Sequence, residues 1–309
     1  MKACYMDDFG GPEVLRVREI SCPPKMPQHG ALVIIHALSI NPFDCAIRRN
    51  YRSNLQSKLP IVLGLDIAGI VTAVSPGSKL KVGQRVCGYV DPRRMGGYAD
   101  LVAIAPDEVM SVPSAIDFTE AAAMPVAGIT AMEALSGLSH LTKGSTVLLT
   151  GAAGGVGTYL VQLLKMFGFC VVAIASPYNF SYLKSLGADR CIDYNTVPFE
   201  KIDHRYDAVI TGLPPSFLTA TYPLVKPGGV LVSMKAPLNE DKLRAWRISG
   251  NYVYALPNIR ALKTIGALIA DQKIKTTVKV YDGLESIPAI HREMEGGHAT
   301  GKRVVVVRR

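Results

Sequence analysis

The sequence predicts an α/β protein with two parts, a β-rich domain and a domain built on a doubly wound parallel sheet. Short apolar strand candidates separated by Gly- and Pro-containing turns fill most of residues 1–116. From Val147 onward, six strand candidates alternate with helix candidates, which is typical of a parallel sheet with crossover helices. A chain of 309 residues is long enough for about two domains.

The β-rich part is predicted from a series of short apolar runs. The longest strand candidate is ALVIIHALSI at 31–40, and others follow at 67–74, 85–90 and 99–105. Little helical pattern lies between them, so we expect a barrel-like or irregular antiparallel domain. The tail from Lys273 returns to strands and one short helix, and we expect it to pack on the first domain. The predicted domains are therefore residues 1–116 with 272–309, and residues 117–271.

The pattern becomes helical at Asp117. The stretch DFTEAAAMPVAGITAMEALSGL (117–138) predicts a helix with Asp117 as its N-cap and Glu120 three residues later. The strand candidates of the parallel sheet then follow in order at 146–150, 170–175, 190–194, 207–211, 229–234 and 252–256.

The composition excludes several classes of protein. Hydrophobic residues make up 49% and charged residues 19%, which is typical of a globular chain. No apolar run approaches the ~20 residues of a membrane span, and MKACYMDDFGG does not resemble a secretory signal, so a cytoplasmic protein is expected. The net charge of +9 is spread over the chain, which makes a nucleic-acid partner improbable. The six cysteines show no zinc spacing and are expected to be reduced and buried.

A cluster of small residues separates the first parallel strand candidate from the next helix. The stretch GAAGGVG (151–157) places Gly154 and Gly157 where a dinucleotide fold needs close backbone approach, with Ala152 at the first glycine position. The helix N-terminus behind it offers free N–H groups to a pyrophosphate. We therefore predict a dinucleotide site formed by Ala153, Gly154, Gly155, Val156 and Gly157. The alternative is a flavodoxin-like or methyltransferase-type sheet with a glycine turn.

The end of the second parallel strand indicates which dinucleotide is bound. A preference for NAD is usually marked by Asp or Glu about 20 residues after the glycine motif. Residues 175–179 read ASPYN and contain no acid. A ribose 2′-phosphate would meet no repulsion there, and Ser176 and Asn179 are candidate hydrogen-bond donors to it. NADPH is therefore the expected cofactor.

Several further stretches occur in a fixed order along the chain. They are NPFD (41–44), LGLDIAGIV (63–71), VGQRVCGY (82–89), GGYADLVAIAPDEVMSVP (96–113), EAAAMPVAGITAMEAL (120–135), GAAGGVG (151–157), LGADRCIDY (186–194), LVKPGGVLVSM (224–234) and GKRVVVV (301–307). Together they resemble the medium-chain dehydrogenase/reductase superfamily, in particular its zinc-independent, NADPH-dependent quinone oxidoreductase branch. The resemblance covers essentially the whole chain.

The resemblance implies a GroES-like substrate domain joined to a Rossmann domain. It implies that Asn41 and Thr130 contact the nicotinamide side of the cofactor and that Tyr194 flanks the 2′-phosphate. The family's tyrosine two residues after Asp44 is replaced by Ala46, so Tyr51 is the alternative pocket donor, and Asn41 and Tyr51 are the candidate catalytic residues. Members are commonly homodimers or homotetramers whose Rossmann sheets pair at an edge, here at GNYVYAL (250–256).

The resemblance also implies that no metal is bound. Zinc-dependent relatives have a cysteine ligand where this chain has Asn41 and a histidine ligand where it has Leu65. No candidate third ligand lies between Ala121 and Met132, and a catalytic zinc needs at least three protein ligands. Hydride transfer from NADPH to a quinone or another conjugated carbonyl is therefore the expected reaction. The alternatives are an enoyl reductase and a non-catalytic NADPH-binding redox sensor, the latter suggested by Ala46 and by Pro214–Pro215.

Overall fold

A computed structural model describes residues 1–20, 24–50, 59–202, 204–297 and 299–308. Its backbone separates into two compact units. We call residues 1–129 with 256–309 the β-rich unit, and residues 130–255 the parallel-sheet unit. The domain bounds predicted above from the sequence stay a prediction. None of the described helices is long and apolar enough to cross a membrane.

The described strands follow the predicted sequence order. They are β1 (Lys2–Met6), β2 (Leu15–Glu19), β3 (Ala31–Ile40), β4 (Ile61–Val62), β5 (Asp66–Val74), β6 (Arg85–Tyr89), β7 (Leu101–Ile104), β8 (Val109–Ser111), β9 (Thr146–Thr150), β10 (Cys170–Ala175), β11 (Arg190–Asp193), β12 (Tyr206–Thr211), β13 (Val225–Ser233), β14 (Ser249–Tyr252), β15 (Val278–Asp282) and β16 (Lys302–Val306).

The described α-helices fall mainly between the parallel strands and at the rim of the β-rich unit. They are α1 (Pro42–Arg48), α2 (Phe118–Ala123), α3 (Pro125–Ser136), α4 (Gly155–Met166), α5 (Phe180–Ser185), α6 (Pro215–Leu218), α7 (Glu240–Trp246), α8 (Ile259–Ala270) and α9 (Ile287–Glu295).

The β-rich unit is organised around β3. Among the described residues, its large sheet has the order β15-β16-β3-β5-β6-β8, and β7 also pairs with β3. A smaller sheet has the order β2-β1-β4. The tail strand β16 runs antiparallel to β3, so the predicted return of the tail to the first domain is confirmed. Except for the parallel pair β15–β16, the described strand pairs of the large sheet are antiparallel, as expected from the sequence.

The helix predicted over 117–138 is two helices. Asp117 caps α2 as predicted, with its carboxylate accepting the N–H of Glu120 at 2.8 Å. Pro125 then begins α3 because proline lacks an N–H and its ring clashes with the preceding turn, which ends α2 at Ala123.

The parallel-sheet unit has the strand order β11-β10-β9-β12-β13-β14 over the described residues. Every described pair of neighbouring strands in this sheet is parallel, and the direction of the strand order reverses between β9 and β12, as in a Rossmann fold. The strand predicted at 252–256 instead spans Ser249–Tyr252. Its partner β13 ends at Ser233, which pairs with Tyr252, so the ladder stops there.

Helix α4 begins in close contact with the turn that follows β9. A Cβ atom at Gly157 would lie 2.2 Å from the carbonyl oxygen of Gly151 and 2.5 Å from that of Ala152. Real Cβ atoms do not approach backbone oxygens this closely, so the turn requires glycine at this position. At Gly154 the nearest atom to an added Cβ is 3.3 Å away, so an alanine is accommodated more easily.

A buried carboxyl group holds the first turn of α1. Asp44 is fully buried, and its Oδ2 accepts the backbone N–H of Asn41 at 2.8 Å. Burial raises the pKa of the Asp44 carboxyl to about 7, although the hydrogen bonds from Asn41 and the Tyr98 hydroxyl oppose this rise. Nearby, the Tyr98 hydroxyl lies 3.0 Å from Nε2 of buried His291, whose pKa burial lowers to about 3.

Substituting Gly157 with alanine should destabilise the protein by about 1–3 kcal/mol, because the new methyl group overlaps two backbone carbonyls. Gly154→Ala is the matched control in the same turn and should cost less, about 1 kcal/mol or below. Urea denaturation of both variants measures the difference. Equal stability of the two variants would contradict the packing described here.

Stability should also depend on pH through Asp44. Its folded pKa lies above its ordinary value of 3.8, so folding favours the protonated form. This stabilisation is complete below pH 3.8 and is lost as the pH rises to about 7, at up to about 1.4 kcal/mol per pH unit. Urea denaturation between these values should show that the wild type loses stability relative to Asp44→Asn. A constant difference between the two proteins would exclude this role of Asp44.

Candidate functional site

The turn between β9 and α4 has the features of an anion site. Gly151 has a φ of +66°, and nothing lies within 4 Å of a Cβ built on it, so space is open above the turn. Gly154 is the N-cap of α4 and provides no capping side chain. The N–H groups of the first helical residues, Gly155, Val156 and Gly157, therefore lack intrahelical acceptors and are available to a phosphate. Ala153 completes the turn and is buried.

Two further predicted cofactor residues are neighbours at the carboxyl edge of the same sheet. Ala175 at the end of β10 is in register with Asp193 at the end of β11, so Ser176 and Tyr194 follow adjacent strands side by side. Asn179 is buried and its Nδ2 donates to Oγ of Ser176 at 3.2 Å. These three residues are therefore close to one another, as the 2′-phosphate prediction requires.

Asp193, the last residue of β11, accepts hydrogen bonds from its neighbour in the following turn. Asp193 Oδ1 accepts the backbone N–H and the side-chain Nδ2 of Asn195, each at 2.9 Å. Residues 175–179 contain no carboxylate. The edge thus lacks the acid at the end of the second parallel strand that would accept a ribose hydroxyl in an NAD site.

A pair of threonines marks the point where the strand order reverses. Thr150 ends β9 and Thr211 ends β12, both are buried, and the Thr150 Oγ1 donates to the Thr211 Oγ1 at 3.1 Å. The N–H of Gly212 donates to the Thr150 Oγ1 at 3.1 Å. Ligands of open parallel sheets bind at such reversals. The sequence analysis did not single out this pair, although both strands end in threonine after an apolar run.

In the β-rich unit, strand register brings three polar side chains to Asn41. Ser39 of β3 pairs with Asp66, the first residue of β5. Ile40 pairs with Arg303 of β16, which places Lys302 beside Asn41. Asn41 directly follows β3 and is the N-cap of α1, with 3% of its surface exposed.

The Asp66 carboxylate is the centre of this cluster. Its Oδ2 accepts hydrogen bonds from the Ser39 hydroxyl at 2.7 Å, the Asn41 Nδ2 at 2.9 Å and the Lys302 Nζ at 2.9 Å. Its Oδ1 accepts the backbone N–H of Val126 at 2.8 Å, at the start of α3. The side chain is fully buried, and Lys302 forms the ion pair that neutralises it.

The Lys302 ammonium group, like the Asp66 carboxylate, is fully hydrogen-bonded. Its Nζ donates to the Oδ1 of Asn41 at 2.6 Å and, at 3.4 Å, to the carbonyl oxygen of Ile40, in addition to Asp66. The side chain is 6% exposed. All three ammonium hydrogens therefore have acceptors within the β-rich unit, and the Asn41 carboxamide is held at both ends.

Sequence reasoning singled out Asn41 but not Asp66, Lys302 or Ser39, and the functional role of Asn41 stays a prediction. A signal was present for Asp66, because an acid inside the apolar strand LGLDIAGIV must be paired when it is buried. Lys302 opens an equally apolar strand. Their pairing joins residues 236 positions apart, which no local pattern reveals.

The remaining predicted site residues have different outcomes. Thr130 lies on α3, one helical turn after Val126, and is buried. Tyr51 lies outside the described residues, so its role as a pocket donor stays a prediction. Leu65, at the expected histidine position of zinc-dependent relatives, is fully buried. In the described part of the chain, no group of three or more His, Cys, Asp or Glu side chains is arranged to hold a metal ion.

Comparison with known proteins adds two family matches. Residues 27–114 match the alcohol dehydrogenase GroES-like domain, and residues 186–305 match the zinc-binding dehydrogenase family.

Related proteins match over nearly the whole chain. The chain is 30% identical to the NADPH-dependent alkenal/one oxidoreductase of Arabidopsis thaliana, over 99% of this chain and 79% of that protein. It is 31% identical to the 2-methylene-furan-3-one reductase of Solanum lycopersicum, with the same coverage of both chains. The solved structure of a quinone oxidoreductase from Coxiella burnetii superposes with a TM-score of 0.94 at 30% identity, covering 100% of this chain and 99% of that one.

The glycine turn, the GroES-like sheet and these relatives agree with the resemblance noted in the sequence. The chain belongs to the zinc-independent branch of the medium-chain dehydrogenase/reductase family, whose members are oxidoreductases.

Proposed function

We propose that the protein transfers a hydride from NADPH to a quinone or another conjugated carbonyl compound without a metal ion. The observation that carries the proposal is the open glycine turn at the N-terminus of α4, together with the acid-free end of β10. The names of the alkenal/one oxidoreductase and the quinone oxidoreductase support the choice of cofactor and acceptor.

The residues at the carboxyl edge of the parallel sheet fit NADPH. The backbone from Ala153 to Gly157 would hold the diphosphate through free N–H groups. Ser176, Asn179 and Tyr194 would surround the 2′-phosphate, and Asn41 and Thr130 would contact the nicotinamide side. When bound, NADPH supplies a hydride, so that one NADPH and one proton are consumed for each conjugated double bond reduced.

The donor set around Asn41 does not fit a catalytic metal. An amide, an ammonium group and the leucine at position 65 replace the cysteine and histidine ligands of zinc-dependent relatives. The Lys302 ammonium lies 2.6 Å from the amide oxygen of Asn41, and its positive charge would repel a metal cation at this place. A conjugated acceptor is already polarised and is a suitable substrate for hydride transfer without a Lewis acid.

We also propose a homodimer and a cytoplasmic location. Strand β14 is an edge of the parallel sheet within the described residues, and an edge strand is a template for pairing with a second copy of the chain. The described cysteines Cys4, Cys45, Cys87, Cys170 and Cys191 are free, which is typical of a reducing compartment.

The purified protein should oxidise NADPH in the presence of quinones or α,β-unsaturated carbonyl compounds, followed by the absorbance of the reduced nicotinamide. Gly154→Asp should abolish cofactor binding because its carboxylate occupies the anion site, while an acidic N-cap keeps α4 stable. Gly154→Ala is the matched control and should retain activity.

Turnover limited to enoyl thioesters would favour an enoyl reductase. Tight NADPH binding without turnover of any acceptor would favour a redox sensor and would contradict the proposed reaction.

Placing an acid at the end of β10 should change the cofactor preference. Ser176→Asp puts a carboxylate beside the proposed 2′-phosphate and should lower the preference for NADPH over NADH by about 10-fold or more. Ser176→Ala removes the hydroxyl without adding charge and should change it by no more than about 3-fold. Calorimetric titration with both nucleotides measures the ratio. If Ser176→Asp left the ratio of NADPH to NADH affinity unchanged, the 2′-phosphate would not lie beside residue 176.

A further inference from the structure

We propose that Asp66 and Lys302 are positioning residues that lock the carboxamide of Asn41 in one orientation, so that its second Nδ2–H is presented to a carbonyl oxygen of a bound ligand. The consequence for turnover rests on the proposed function. The lock itself lies within the β-rich unit and does not depend on that function.

The two charged partners make the orientation of the amide unambiguous. Nδ2 of Asn41 donates to the Asp66 carboxylate at 2.9 Å, while Oδ1 accepts from the Lys302 ammonium at 2.6 Å. A rotation of the amide by half a turn would place its oxygen against a carboxylate and its NH₂ group against an ammonium. Both contacts would be repulsive in a site from which water is excluded, so only one orientation is stable.

The Asp66–Lys302 ion pair is better explained by its effect on the orientation of the Asn41 carboxamide than by a contribution to the stability of the fold. Replacing a buried ion pair by apolar side chains of similar volume is often neutral or stabilising, because the desolvation cost of two charges offsets their attraction. Lys302 also has no hydrogen left for a substrate, since Asn41, Asp66 and the Ile40 carbonyl accept all three. Lys302 therefore acts on Asn41 and not on the ligand.

One hydrogen of the locked amide remains available. Nδ2 carries two hydrogens and Asp66 accepts one of them, while the second has no acceptor among the residues that the structure describes. A carbonyl oxygen is the matching acceptor. Negative charge grows on the oxygen of a conjugated carbonyl as hydride is added, so a fixed donor there strengthens during the reaction. The carboxamide of a nicotinamide ring offers the same chemistry, and the experiment distinguishes the two.

The principal variant is the double substitution Asp66→Asn with Lys302→Met, which removes both charges at similar volume. The single variant Lys302→Met leaves a buried unpaired carboxylate and is expected to lose stability. Arg303→Met is the matched control, because Arg303 is the next residue of the same strand, is also buried, and pairs with Glu293 instead of the Asn41 cluster. Thermal unfolding of all variants reports whether each is folded.

The first measurement does not involve activity. Nitrogen-15 relaxation of the Asn41 side-chain NH₂ in the cofactor-free protein should give an order parameter of about 0.8 in the wild type and in Arg303→Met. It should fall below about 0.6 in the folded double variant. An equally ordered amide in the double variant would overturn the lock.

The second measurement assigns the free N–H. If it binds the acceptor, the double variant should lose at least about 10-fold in kcat while its Kd for NADPH changes by no more than about 3-fold. If it binds the nicotinamide carboxamide, the Kd for NADPH should rise by about 10-fold or more. Unchanged kcat and Kd would overturn the presentation of this N–H to a ligand. A wild type that binds NADPH but reduces no acceptor would instead contradict the proposed function, and the relaxation result would still decide the lock.

Discussion

The buried carboxylate of Asp66 constrains four segments of the β-rich unit. The Asp66 carboxylate has no contact with solvent, so it must be neutralised and its oxygens must be hydrogen-bonded. Its partners come from the end of β3, the cap of α1, the start of α3 and the start of β16. The junction of β3 and α1, the start of α3 and the start of β16 are distant in sequence, and their hydrogen bonds to one carboxylate hold them together.

The parallel-sheet unit follows a different constraint, which is imposed by the backbone. Close approach between the turn after β9 and helix α4 allows only glycine at position 157 and leaves the first N–H groups of α4 without partners. The strand order of the sheet reverses between β9 and β12, and this places Thr150 and Thr211 together at the same edge. Chemical function is therefore added to a common fold through a few main-chain groups and short side chains.

Local patterns predicted those features that local physics determines. The strand at 31–40, the helix cap at Asp117 and the glycine turn each depend on neighbours in the sequence, and each is found where the sequence places it. The end of the last parallel strand depends on the length of its partner β13, so the prediction of 252–256 was wrong. Asn41 was singled out by the family resemblance. The Asp66–Lys302 pair depends on strand register between residues 236 positions apart, which hydrophobic periodicity does not reveal.

The distance along the chain between Asn41 and Lys302 has a consequence for biosynthesis. Their hydrogen bond joins residues 261 positions apart, and closing so long a loop is entropically costly. While a nascent chain is being made, the Asp66 carboxylate lacks its Lys302 counter-charge until residue 302 leaves the ribosome. Limited proteolysis of chains arrested before and after this residue measures the difference directly: protection of the early strands should appear only in the longer chains.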